Sequence, residues 1–167
     1  MRFTFVLAAL LLLVGPVSAT DKAYKPRQIR VGSTHGNARS SGAVLVGNTL
    51  YIAGRIGLDP KSGTIPGDID QEARNLLDGF KAVLAKAGMT ADDLVNVQVF
   101  CPDPSLFSRW NTIYRSYFKK DFPQHSFIGS GPLLLNAHFE MQGAAVRGGA
   151  EALKKRHLSG ALGPTGE

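Results

Sequence analysis

The sequence predicts a single α/β (α+β) domain: one mixed sheet with two helices on one of its faces. Three observations predict it. Two stretches carry apolar residues at helical spacing, and both lie in the middle of the chain. Runs rich in β-branched and aromatic residues lie before, between and after them. The 167 residues are 44% hydrophobic and 19% charged, ordinary globular composition with room for one core. The expected order is β-β-β-α-β-α-β-β, with the clustered helices covering one sheet face. Apolar residues on both sets of strand positions predict that a partner subunit covers the other.

The chain opens with a targeting segment. Arg2 supplies a positive start, Phe3–Val14 is unbroken apolar sequence, Gly15-Pro16 breaks it, and Val17-Ser18-Ala19 offers small residues for cleavage. Residues 1–19 read as a signal peptide, because the apolar run is too short for a good membrane span. The expected product is exported, periplasmic or secreted, with no stable membrane anchor after cleavage. Residues 20–39 are polar and hold Pro26, Gly32 and Gly36, a linker with one strand near Gln28–Gly32.

The domain spans residues 40–147. Val44–Val46 and Leu50–Gly54 flank Gly47-Asn48, a hairpin whose turn pair tolerates positive φ. Asp59–Gly63 and Pro66-Gly67 are turn chemistry. Asp68 can cap a helix whose apolar face runs Ile69, Ala73, Leu76, Leu77, Phe80, Val83, Leu84 and Ala87, and Gly88 stops it. Asp92 or Asp93 opens the next unit, where Val95, Val97 and Val99 alternate with Asn96, Gln98 and Phe100 as a strand. Pro104-Ser105 starts a second helix with the stripe Leu106, Trp110, Ile113, Tyr114, Tyr117 and Phe118, a core face rather than a cofactor box. Two strands follow, near Ser126–Gly129 and His138–Val146, with Leu133–Leu135 leading into the second. Residues 148–167 form a short amphipathic piece and a Gly/Pro tail.

Composition excludes several functions. The net charge of +6 is spread out, without the basic stripe interleaved with aromatics that a nucleic-acid groove needs. The cluster Lys154–His157 reads as a solvated helix end. Cys101 is the only cysteine, so no intrachain disulfide forms; it reads as a buried strand thiol with no basic neighbour to activate it. His35, His138 and His157 show no metal-ligand spacing with it or with one another. Ser40-Ser41 lacks a nucleophile elbow, and Gly129-Ser130-Gly131 is too short to cradle phosphate.

The segment Phe122–Glu140 carries the chemistry. A carboxylate such as Glu140, set among apolar strand residues, is costly to bury without a partner, and His125 is the candidate across from it. The segment resembles the end of a Rid (reactive intermediate deaminase, YjgF-like) domain, whose pattern is P-x-R-S with a Glu fifteen residues after the Arg. Val46–Gly54 resembles that family's V-G-N-x-V/L-Y-x-S-G, Gly57–Gly63 its P-L-D-P-x-T-G, and Phe107–Phe118 its F-x-x-V-N-x-V-Y-x-x-Y-F. Three motifs in order, from about Ser40 to Arg147, identify the chain as a member.

The resemblance implies a chorismate-mutase-like fold and a homotrimer with clefts between subunits. It also implies hydrolysis of enamines or imines of amino acids to 2-oxo acids and ammonia, without cofactor or metal. Gly54, Asn111, Tyr114 and Glu140 stand at positions lining or supporting that cleft, and Phe127 is counted as a further substrate contact. Three positions depart. The family's carboxylate-gripping Arg is His125, its P-Y-S-Q is Arg39-Ser40-Ser41-Gly42, and the Gln after its strand glycine is Arg55.

Imine hydrolysis needs an anchor, an acid and a positioned water. Glu140 can supply the last two, or be a structural carboxylate. His125 is a poor anchor, because a guanidinium grips a carboxylate with two charged hydrogen bonds and a neutral imidazole donates one. It is either a general base or an unengaged strand histidine. Arg55 is either a compensating anion contact from another wall of the cleft or an exposed strand-end arginine. The expected function is hydrolysis of an imine-type metabolite unlike the family's usual one. The alternative is a small-molecule-binding module without catalysis. Nucleic-acid or translation-directed activity sits badly with export and the missing basic groove.

Overall fold

The computed structural model describes residues 27–29, 42–118 and 122–149. The expected signal peptide, the linker apart from its strand, His35, Arg39–Ser41 and the tail from residue 150 lie outside the described residues.

Six strands and two helices follow in the expected order: β1 (Arg27–Ile29), β2 (Ala43–Val46), β3 (Thr49–Ile56), α1 (Ile69–Lys86), β4 (Leu94–Cys101), α2 (Phe107–Arg115), β5 (Gln124–Gly129) and β6 (Glu140–Val146). The sheet order is β1-β2-β3-β6-β4-β5. β4 and β5 are parallel, joined through α2, and the other neighbours are antiparallel. Among the described residues β5 is therefore an edge strand.

Local chemistry sets the boundaries. Gly47 takes φ +61° in the two-residue turn between β2 and β3, as a hairpin with glycine first requires. The Asp59 side chain accepts from the N–H groups of Lys61 and Ser62, which folds the turn expected there. Asp68 caps α1 by accepting from the Asp70 N–H at 3.0 Å. Gly88, at φ +68°, ends the helix, with Met89 N–H donating to Leu84 O and Gly88 N–H to Ala85 O. A 3₁₀ turn over Pro104–Leu106, capped by Asp103, precedes α2, so the second helix proper begins at Phe107.

Both helices pack on one face of the sheet. Leu50, Ile52, Val97, Val99, Cys101, Met141 and Ala145 point toward them and are buried against Leu76, Phe80, Val83, Leu84, Trp110 and Ile113. On the opposite face, Tyr51 is 56% exposed, and Gln142 donates across the strands to Gln98 at 2.7 Å. That open face is mixed in character rather than uniformly apolar. Cys101 is buried, as expected of a strand thiol, and burial pushes its pKa up.

Leu133–Leu135 lead into the last strand without joining it. They form no strand: Leu134–Asn136 is a 3₁₀ turn in which Leu135 and Asn136 take φ 56° and 54°. β6 begins at Glu140 instead of His138. The reason is Glu72, the fully buried carboxylate of α1, whose Oε1 accepts from the N–H groups of His138 (2.7 Å) and Phe139 (3.1 Å). Those amides bond to the helix instead of a neighbouring strand.

Candidate functional site

Register decides where each candidate side chain points. In β6, Met141 and Ala145 are buried beneath the helices, so Glu140 faces the open side. Its pairing with Ile56 of β3 and Phe100 of β4 places it between those strands. Gly54 lies beneath it. A Cβ built on Gly54 would stand 2.1 Å from Glu140 Oε1, so the carboxylate occupies the space above a bare stretch of backbone. Gly54 is exposed and Glu140 half-buried. Among the described residues the Glu140 carboxylate has no hydrogen-bond or ion-pair partner. It is not the deeply buried charge that the sequence suggests; that description fits Glu72.

His125 lies elsewhere. It pairs with Val97, a core residue, and so faces the helices. Its ring stacks on Tyr114 of α2, centroids 4.6 Å apart and planes 17° apart. Burial lowers its pKa, so the imidazole is held neutral. Among the described residues, His125 Nε2 and the Tyr114 hydroxyl are both buried without a hydrogen-bond partner. Burial likewise pushes the Tyr114 phenol up. Phe127 meets Phe107 edge-on at 5.2 Å. Phe107, Asn111 and Tyr114 share a helix face by their spacing, and Asn111 is half-buried there. His125, Phe127, Asn111 and Tyr114 thus form one group along the β5 edge.

One chain does not bring His125 and Glu140 together in the way the sequence reading expects. The two lie on opposite faces of the sheet, and β4 separates their strands. Arg55 does not reach Glu140 within one chain either. Strict alternation from Leu50 and Ile52 would aim it at Glu140's face. A bulge between Ile52 and Arg55 inserts one residue and reverses the alternation. Arg55 consequently lies on the helix side opposite Met141, with Nε 3.4 Å from the position a Gly79 Cβ would take. Its Nη1 is buried without a partner among the described residues, and burial lowers its pKa. Three strand spacings, ~14 Å, separate the Arg55 and His125 strands.

Sequence reasoning does not single out Glu72 and His138 as a pair. Besides the two backbone amides, Glu72 meets His138 Nδ1 at 2.7 Å through Oε2. Gly57 makes room: a Cβ there would sit 2.0 Å from the Glu72 carbonyl oxygen. The available signal was a carboxylate inside the apolar stripe of α1, between Ile69 and Ala73. No cluster of metal-ligating side chains occurs among the described residues.

Residues 35–147 match the family model described as Endoribonuclease L-PSP. The chain belongs to this family. It is the Rid/YjgF family that the sequence motifs resemble. The chain is 35% identical over 109 residues to human 2-iminobutanoate/2-iminopropanoate deaminase, covering 65% of this chain and 80% of that protein. The YjgF gene product of E. coli superposes with TM-score 0.68 at 29% identity, over 72% of this chain and 98% of that one. E. coli TdcF with bound serine superposes with TM-score 0.65 at 27% identity, over 71% and 94%. The α+β Rid fold is thereby established, and named imine deaminases among the relatives support a deaminase-like role.

Proposed function

We propose that this Rid protein hydrolyses a reactive enamine or imine to a carbonyl compound and ammonia, in clefts between copies of the chain. The observation that carries the reading is the Glu140 carboxylate over bare Gly54, half-buried and unpartnered among the described residues. A carboxylate so placed can take a proton from water and deliver one to nitrogen. The polar groups His125 and Asn111 lie on the other face, at the sheet edge. One chain does not bring the two groups together, whereas the edge of one copy against the open face of another can. A homotrimer is the assembly proposed. The neutral His125 favours an uncharged or weakly anionic substrate over a carboxylate gripped by a guanidinium. The serine bound to TdcF supports amino-acid-derived ligands as the first class to try. We further propose that residues 1–19 direct export, which sequencing the N-terminus of the mature protein tests.

The test is an assay on imines generated in situ from a panel of amino acids, with sedimentation to give the oligomeric state. Glu140→Gln is expected to lower kcat by ~10²–10⁴-fold, the range for a positioned acid–base group. Acceleration that survives this substitution would remove Glu140 from the mechanism. No acceleration with any imine would favour the second reading, a binding module without catalysis. What favours that reading is the loss of a charged anchor at His125.

A further inference from the structure

The Glu140 carboxylate and its Gly54 floor belong to neighbouring strands, joined at the end of the sheet by the Ile56–Glu140 pair. Glu72 of α1 holds that pair from the helix side. Its side chain takes β6: Oε1 accepts from the His138 N–H at 2.7 Å and the Phe139 N–H at 3.1 Å. Its main chain takes β3: a Cβ on Gly57, the residue after Ile56, would stand 2.0 Å from the Glu72 carbonyl oxygen. Phe139 precedes Glu140 and Gly57 follows Ile56, so the residues flanking the pair both lie against Glu72. Both donors are main-chain N–H groups, so this hold is the same whether the His138 ring is neutral or charged. Glu72 is wholly buried, and water does not compete for its oxygens. The Phe139 ring, also wholly buried, packs on Trp110 with centroids 4.9 Å apart, which fixes the same stretch of main chain from a second side. The Cα of Glu140 follows that of Phe139 by about 3.8 Å. An apolar residue at position 72 would complete the α1 stripe but leave two amides unpaired.

We infer, on the reading of Glu140 as the acid–base group, that Glu72 is a positioning residue for it: by pinning the start of β6 and the end of β3 to one turn of α1, it sets the carboxylate over Gly54. Glu72 lies on the helix side of the sheet and Glu140 on the open side, so it acts through the main chain and not by touching substrate. Register is what it controls. A shift of ~1 Å between the two strands would carry the carboxylate off its floor, and a misplacement of that size in a catalytic group costs on the order of 10²-fold in rate.

The experiment compares Glu72→Asp, Glu72→Gln and Gly57→Ala with the wild type in the full chain. It reads kcat and KM for imine hydrolysis and the carboxyl-carbon NMR shift of Glu140, both well below the melting temperature. Glu72→Asp retracts the acceptor by one carbon–carbon bond, about 1.5 Å. Gly57→Ala pushes β3 off the Glu72 main chain without altering the carboxylate, and it carries the test if Glu72→Asp does not fold. Each is expected to lower kcat about 10- to 100-fold with KM within about threefold, and to move the Glu140 shift. Glu72→Gln keeps an oxygen for the two amides and is expected to leave both readouts near the wild type. Leu84→Ala empties a buried core position about 18 Å along α1, and is expected to lower the melting temperature while sparing both readouts. In the Glu140→Gln background, Glu72→Asp is expected to cost no further kcat. A wild-type Glu140 shift in the Glu72→Asp and Gly57→Ala variants overturns the assignment. So do equal losses in Leu84→Ala, or a loss in Glu72→Gln as large as in Glu72→Asp. If the wild type hydrolyses no imine, the acid–base reading of Glu140 fails, and the Glu140 shift still decides whether Glu72 positions it.

Discussion

Gly54→Ala isolates the central feature of the proposed mechanism. The added methyl would lie 2.1 Å from Glu140 Oε1 and 3.2 Å from its carboxyl carbon. Non-bonded carbon and oxygen need about 3 Å or more, so the carboxylate must move by ~1 Å. A displacement of that size in a catalytic group costs on the order of 10²-fold in rate. The backbone itself tolerates alanine, because Gly54 is not among the positive-φ glycines. Gly54 is also exposed, so the core is untouched. Losing glycine's freedom in the unfolded chain contributes ~0.4–1 kcal/mol of stability. Activity should therefore fall about a hundredfold while the melting temperature holds or rises. The assay is kcat/KM for imine hydrolysis beside thermal unfolding, repeated in the Glu140→Gln background. If Gly54 acts through Glu140, the double variant loses no more than Glu140→Gln alone. Independent, additive losses, or less than a threefold effect of Gly54→Ala alone, would refute the reasoning.

Three further outcomes follow from the same geometry. Glu72→Ala strands two buried amides and the His138 ring, and should destabilise the fold by ~3–5 kcal/mol in urea unfolding; a change under ~1 kcal/mol would show that the pin is dispensable. His125 has a folded pKa below its ordinary 6.5, so its contribution to stability is complete above that value and is lost as pH falls toward the folded one. Melting temperature should consequently drop between pH 7.5 and 5 in the wild type, and by less in His125→Phe; equal drops would assign the dependence to other groups. Arg55→Met replaces a half-buried guanidinium, whose Nη1 is buried without a partner among the described residues, with an apolar side chain, and should leave imine hydrolysis within about threefold and stability equal or higher. Loss of turnover would return Arg55 to the site as an anion contact.

The positions of His125, Arg55 and Glu140 show where sequence reading stops. The motifs that contain all three were legible, because each is local. The face each takes was not. Arg55 changes sides because of one extra residue between Ile52 and itself, and the only mark of that bulge in L-Y-I-A-G-R-I is Gly54, which signals a bulge or a close approach alike. His125 faces the helices because β5 runs parallel to β4 in the register that sets it beside Val97. The role of Glu72 is not legible in the sequence because its partners, His138 and Phe139, are 66 and 67 residues away.

Sequence alone determined the order of elements, the Asp68 cap, the Gly47 and Asp59 turns, the Gly88 stop and the family. Each of these depends on residues within a few positions of one another, where backbone preference and periodicity act directly. Tertiary structure decided which faces the site residues share and which carboxylate is buried. Those depend on strand register and helix docking, set by contacts between segments far apart in the chain, where a shift of one residue reverses every side chain beyond it.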